Sequence, residues 1–181
     1  IDNNQTVILF TSGKLQPKYA AHGNYDYDVQ IWNKLIEKFS NDENYFLILK
    51  PHPQEVDTTV YQQIIEKFGA KNTLILNGDL FELLFISDVV ISVYSTTMID
   101  ALCFDKPVIQ VKFKDEVHPI PFEQYGAVLT TRVDTLQSKI LSILTDSETK
   151  QTISKNRSQF LQEQYGLPEH NPEEKLRNIL K

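Results

Sequence analysis

The stretch "VYSTTMID", residues 93–100, gathers three hydroxyl side chains, Ser95, Thr96 and Thr97, where one apolar run stops and another of different period begins. Hydroxyls at such a point do one of two things. They cap the following helix by accepting its first backbone N–H groups, or they join those N–H groups in holding an anion such as a phosphate. Capping takes one hydroxyl and leaves two over. Asp100 stands about one helical turn further on, where a carboxylate can accept from the hydroxyls of a ribose. The second candidate is His52, bracketed by Pro51 and Pro53 in "LKPHPQE" (49–55). Each proline fixes its own φ and biases the residue before it to extended backbone, so the imidazole rides on a stiff segment. Such a segment suits a pre-organised contact to phosphate or sugar oxygens; the alternative is a histidine in an exposed turn.

Three further polar stretches compete for a role. "TSGKL" (11–15) holds Ser12, Gly13 and Lys14, read either as a glycine-assisted turn or as groups facing a ligand across a cleft. It is no phosphate loop, which needs a glycine, four residues, then Gly-Lys-Ser/Thr. The chain also has no G-x-G-x-x-G, which disfavours ordinary NAD binding. "LNGDL" (76–80) is a turn in which Asp79 can cap the next helix, while the backbone at Asn77 and Gly78 can read a nucleobase. The loop 112–126, with Lys112, Lys114, His118 and Glu123, reads as a proline-stiffened surface loop whose position allows contact with a ligand.

Other chemistries fall away. A serine nucleophile on a sharp elbow needs glycine two residues either side, and around Ser95 those positions are Val93 and Thr97. The four histidines have no H-x-x-x-H spacing, and the one cysteine excludes a thiolate cluster, so no metal site is expected. Cys103, in "DALCF", reads as a small buried hydrophobe. The formal charge of -6 argues against a nucleic-acid surface. An anionic ligand must then be held by local groups.

These residues need a scaffold, and the chain alternates. Strands are predicted at 6–10, 45–50, 72–77, 88–93, 106–111 and in "AVLT" (127–130). Helices are predicted at 27–39, 58–69, 80–87, 96–104 and 133–145, with a polar helical region to 181. Strands alternating with helices imply crossovers and a parallel sheet covered on both faces. The near-continuous apolar strands agree, since such strands bury both sides. The expected fold is therefore α/β, a three-layer Rossmann-like doubly wound sheet of about six strands. Ligands of such sheets bind beyond the carboxyl ends of the strands, which is where the candidates lie. The length of 181 residues suits one domain with a sizeable core. No run approaches the ~18 apolar residues of a membrane span. The polar "IDNNQT" start shows no signal peptide and no initiator Met, which suggests a piece of a longer or processed chain.

Two segments taken together, "LILKPHPQE" (47–55) and "LFELLFISDVVISVYSTTMIDALCFDKPVIQV" (80–111), resemble the C-terminal, donor-binding half of GT-B glycosyltransferases. The nearest flavour is the group of CDP-glycerol glycerophosphotransferases and capsule or sialic-acid-type polymer transferases. UDP-N-acetylglucosamine 2-epimerases are similar more distantly. The likeness runs from about Thr6 to Thr145. It implies a nucleotide-sugar-binding domain over 1–150 and a C-terminal helical extension over 151–181. It places His52, the catalytic candidate, with Ser95, Thr96 and Thr97 on the pyrophosphate, Asp100 on the ribose, Asn77 and Gly78 beside the base, and Ser12, Gly13 and Lys14 toward the acceptor. It implies a nucleotide-sugar or CDP-linked donor as substrate, no separate cofactor, an N-terminal Rossmann domain of the same protein as partner, and a place in surface polysaccharide or glycoconjugate synthesis. The expected location is cytoplasmic, including the inner face of the membrane. Many relatives carry Asp where this chain has Val93, and the Gly-Gly turn of other members is replaced by Thr96 and Thr97. The alternatives are an epimerase acting on the sugar ring and a domain that binds nucleotide without turnover.

Overall fold

The structure is a computed structural model that describes residues 4–13, 25–55, 57–93, 95–112 and 119–166, with backbone alone for residues 25 and 26. Six strands form one parallel sheet: β1 (Thr6–Thr11), β2 (Tyr45–Lys50), β3 (Thr73–Ile75), β4 (Val89–Ser92), β5 (Val108–Val111) and β6 (Leu129–Thr131). Among the described residues seven α-helices connect and follow them: α1 (Tyr25–Phe39), α2 (Thr59–Phe68), α3 (Leu80–Ile86), α4 (Thr97–Cys103), α5 (Phe122–Tyr125), α6 (Leu136–Thr145) and α7 (Ser147–Tyr165). The strand order is β3-β2-β1-β4-β5-β6, so the winding reverses between β1 and β4. The expected doubly wound α/β fold is the one observed.

Side-chain alternation along each strand builds two cores. Ile8 and Phe10 of β1, Leu47 and Leu49 of β2, and Val89 and Ile91 of β4 face one layer with Trp32, Leu35, Tyr61 and Ile140. Val7, Leu9, Ile48 and Val90 face the other, with Leu84, Met98, Leu102 and Phe122. Burial on both sides is why these strands read as continuous apolar runs. The β1–β4 register is pinned at its start by a reciprocal pair. The Val7 N–H donates to Asp88 Oδ2 at 2.7 Å, and the Asp88 N–H donates to Val7 O at 2.9 Å.

Local chemistry sets the helix ends. Asp79 caps α3 as expected, its Oδ1 accepting from the N–H groups of Phe81 (2.8 Å) and Glu82 (3.2 Å). Gly69 ends α2 in the left-handed conformation at φ 56°. Some elements differ from expectation. β3 keeps three residues instead of six, because an edge strand has one ladder partner and the pairing with β2 stops at Ile75. β6 shifts to 129–131, leaving Ala127 and Val128 buried ahead of the ladder. The helix expected at 133–145 opens with a 3-10 turn, Val133–Thr135. Cys103 is half-buried rather than buried, because it occupies the last position of α4 beside the turn at Phe104 and Asp105.

Helix α7 joins the two layers. Its Ile153 lies in the first core and its Phe160 in the second, where the Phe160 ring stands 5.2 Å from Phe122 and 5.4 Å from Tyr125. The division drawn from sequence at 150/151 falls inside this helix. Gly166, at φ 62°, ends α7, and the helical region expected beyond it lies outside the described residues.

Candidate functional site

The winding reverses between β1 and β4, and doubly wound sheets take their ligands beyond the carboxyl ends of the strands at such a point. Lys50, Thr11 and Ser92 lie in register across β2, β1 and β4. Strands are spaced ~4.8 Å apart, so the segments leaving β2 and β4 start about 10 Å from one another, on either side of β1. The first carries His52 and the second carries Ser95, Thr96, Thr97 and Asp100. A buried hydroxyl pair ties the rim together, with Thr11 Oγ1 donating to Ser92 Oγ at 3.0 Å.

His52 opens a tight turn. The Glu55 N–H donates to His52 O at 2.8 Å, with Pro53 at the second turn position, where its fixed φ is suited. The Gln54 N–H donates to His52 Nδ1 at 3.1 Å. An imidazole nitrogen that accepts is unprotonated, so the neutral ring carries its proton on Nε2. That tautomer makes Nε2 a hydrogen-bond donor. The turn is fastened to β1 through Ser12. Its hydroxyl accepts from the His52 N–H at 2.9 Å and donates to Glu55 Oε2 at 2.6 Å. The Ser12 N–H reaches Lys50 O at 3.1 Å. Ser12 is buried, and its hydroxyl bonds to both ends of this turn and also interacts with the Tyr61 hydroxyl behind it.

Behind the turn lies a polar cluster that sequence reasoning missed. Tyr61, on α2 and fully buried, donates its hydroxyl to Glu55 Oε1 at 2.8 Å. Burial, then the charges of Asp28 and Glu55, push the Tyr61 phenol up, so it stays a donor. Asp28, on the first turn of α1, accepts the Gly13 N–H at 2.9 Å. Burial pushes the Asp28 carboxyl up to about 7, the Gly13 N–H works the other way, and the nearby Glu55 charge adds to the rise. A signal for Asp28 did exist. It falls on the apolar stripe of α1, one turn before Trp32, and an acid on a core-facing stripe needs a partner. Glu55 stood within the His52 motif, but nothing local showed where it pointed.

On the other side of β1, two of the three hydroxyls close on each other. Ser95 Oγ accepts the Thr97 N–H at 3.1 Å and donates to Thr97 Oγ1 at 2.9 Å. Ser95 is thus the capping side chain, while Thr96 makes no capping bond and is exposed. Helix α4 has seven residues, about two turns. A dipole that short is weak, which leaves the hydroxyls and first-turn N–H groups as the polar groups at that end. Asp100 is half-buried on α4, and desolvation raises its carboxyl above the usual range. Asn77 and Gly78 are exposed at the same rim, after the edge strand β3. Lys14, Lys114 and His118 lie outside the described residues. Lys112 pairs with Glu123 at 2.8 Å. Among the described residues no group of three or more His, Cys, Asp or Glu side chains is disposed to hold a metal ion, and no helix is long and apolar enough to cross a membrane.

The fold is similar to that of UDP-GlcNAc 2-epimerase from Neisseria meningitidis, solved bound to UDP-GlcNAc, with 14% identity and a TM-score of 0.63 over 85% of this chain and 40% of that one. It is similar to the glycosyltransferase SnogD from Streptomyces nogalater, with 15% identity and a TM-score of 0.61 over 88% of this chain and 41% of that one. It also resembles the C-terminal domain of the glycosyl transferase group 1 family protein LpcC from Francisella tularensis, with 11% identity and a TM-score of 0.60 over 89% and 86% of the two chains. At these identities the likeness is one of fold, that of a GT-B half domain. This chain spans 40% of the length of the Neisseria epimerase and 41% of SnogD. No curated protein matches it in sequence. Residues 2–171 match the family described as CDP-Glycerol:Poly(glycerophosphate) glycerophosphotransferase, and the chain belongs to that family.

Proposed function

We propose that this domain binds the activated donor of a GT-B-type transferase in surface polysaccharide or glycoconjugate synthesis. The donor is a CDP-linked alcohol in the first instance and a nucleotide sugar in the wider class. The observation that carries this reading is the family match over residues 2–171, which takes in both the His52 turn and the Ser95–Thr97 cluster on strands that flank β1.

In this reading the donor lies across the end of β1. Its phosphates meet Nε2–H of His52 from one side, and the Thr96 hydroxyl with the first N–H groups of α4 from the other. Asp100 accepts from the ribose, and the backbone at Asn77 and Gly78 borders the base. As the acceptor hydroxyl attacks, charge grows on the departing nucleotide. Donors aimed at that charge stabilise the transition state more than the ground state. His52 contributes as such a donor. The acceptor and its base belong to a partner Rossmann domain of the same protein. The reaction is placed in the cytoplasm, with the acceptor at the inner face of the membrane.

Titration of the chain with CMP, CDP, UDP and GDP by calorimetry tests this. The expected result is saturable binding of a cytidine nucleotide, weakened in Thr96→Ala and in His52→Ala while the far-ultraviolet dichroism is unchanged. Preference for UDP, with release of free 2-epimerised sugar from UDP-GlcNAc, would favour the epimerase chemistry of the structural relatives. Absence of binding to all four nucleotides would defeat the donor-binding reading.

A further inference from the structure

We propose that Glu55, acting through Ser12, is the positioning residue that holds His52 in place at the end of β1. The last step, what His52 is held for, rests on the donor-binding reading above; the positioning itself does not.

The geometry closes on every atom of the link. His52 has its N–H on Ser12 Oγ at 2.9 Å and its C=O on the Glu55 N–H at 2.8 Å. Both backbone polar groups of the residue are therefore taken up, and the ring is oriented by the Gln54 N–H on Nδ1. Ser12 holds its accepting lone pair toward His52 because its proton is directed to Glu55 Oε2, at the short distance of 2.6 Å expected of a hydroxyl on a carboxylate. Glu55 cannot swing away, because its other oxygen accepts from Tyr61, which is fully buried on α2. The chain of bonds thus runs from a rigid helix, through a carboxylate and a buried hydroxyl, to the backbone of the candidate phosphate-binding histidine. The Asp28 carboxyl accepts the Gly13 N–H and is the further titratable group that faces Glu55 and Tyr61. A turn stiffened only by its prolines fixes its own shape. It does not fix where that shape sits on the sheet, and Glu55 and Ser12 supply that anchor.

The substitution Ser12→Ala removes the bridge with little change in volume. Glu55→Ala removes the anchor, and Glu55→Gln keeps the shape with one acceptor oxygen in place of two. Amide hydrogen exchange of the His52 N–H is compared with that of Val7 to Phe10 in β1, and affinity is measured with CDP as the probe. In Ser12→Ala and Glu55→Ala the His52 amide is expected to exchange at least tenfold faster than in the wild type, with the β1 amides retaining their protection. CDP affinity is expected to fall at least tenfold, and Glu55→Gln to lie between the wild type and Glu55→Ala on both measures. Wild-type exchange at His52 in Ser12→Ala and Glu55→Ala overturns the proposal. So does a uniform acceleration that includes β1, since Glu55 is then a general stabiliser. If the wild type binds none of CMP, CDP, UDP and GDP, the donor-binding reading fails on its own, and the exchange comparison still decides whether Glu55 places His52.

Discussion

The backbone N–H of Gly13 donates to Oδ2 of Asp28 over 2.9 Å, which fixes the first residues beyond β1 to the first turn of α1. The carboxyl that accepts it is buried beside Glu55 and Tyr61. An acid in this position gains a hydrogen bond and loses its hydration, and the loss is the larger effect. The rim of the candidate site is therefore built on a group whose charge state changes near neutral pH.

That relationship predicts a pH dependence. Asp28 keeps its proton up to about 7 in the folded protein, against an ordinary value of 3.8. Between those values the folded state binds more protons than the unfolded one. The contribution of Asp28 to stability is thus fully present below its unfolded value, declines as pH rises, and is lost above about 7. Asp28→Asn retains an oxygen for the Gly13 N–H and does not titrate. In urea unfolding across this range, the stability of the wild type relative to Asp28→Asn is expected to fall by a few kcal/mol as pH rises. Parallel pH profiles for the two proteins would contradict it.

Ser95 and Thr96 are neighbours with different work. Ser95→Ala removes the side chain that accepts the Thr97 N–H, and is expected to cost about 1 kcal/mol of stability. Thr96 makes no cap and is exposed, so Thr96→Ala is expected to stay within about 0.5 kcal/mol of the wild type. Its effect falls on nucleotide affinity, about tenfold for the loss of one hydrogen bond. Chemical denaturation and calorimetry on the two variants separate the roles.

Two glycines calibrate the backbone. Gly69 and Gly126 both end helices at positive φ, 56° and 61°. A Cβ on Gly69 meets nothing within 4 Å, whereas one on Gly126 comes within 2.8 Å of Asn156 Nδ2. That amide donates to Gly126 O at 3.3 Å, so moving it away breaks a contact between α5 and α7. Gly69→Ala is expected to cost about 1–2 kcal/mol, the left-handed penalty alone, and Gly126→Ala distinctly more. Equal losses in thermal unfolding would show that Asn156 gives way freely.

Phe160 tests whether α7 is part of the fold. Its ring is fully buried between Phe122 and Tyr125, and Phe160→Ala is expected to cost about 3–5 kcal/mol. The whole chain should shift its single unfolding transition. A small early transition, with the rest unchanged, would mean that residues after 150 are an appendage.

What the sequence determined by itself was local. Each strand carries its own apolar run and each helix its own stripe, so the alternation of elements, the doubly wound class and the capping role of Asp79 could be read from short windows. The two motifs that carry the family resemblance are short for the same reason. The tertiary structure decided what depends on partners far along the chain. It set the order that puts β1 between β2 and β4, shortened β3 at its edge, and carried α7 across both layers. It also made Ser12 a bridge between His52 and Glu55, and gathered Asp28, Glu55 and Tyr61 behind it. Periodicity records which face of an element is apolar. The neighbour that face meets, and hence which carboxylate is stripped of water and which hydroxyl satisfies it, is settled only when distant segments pack.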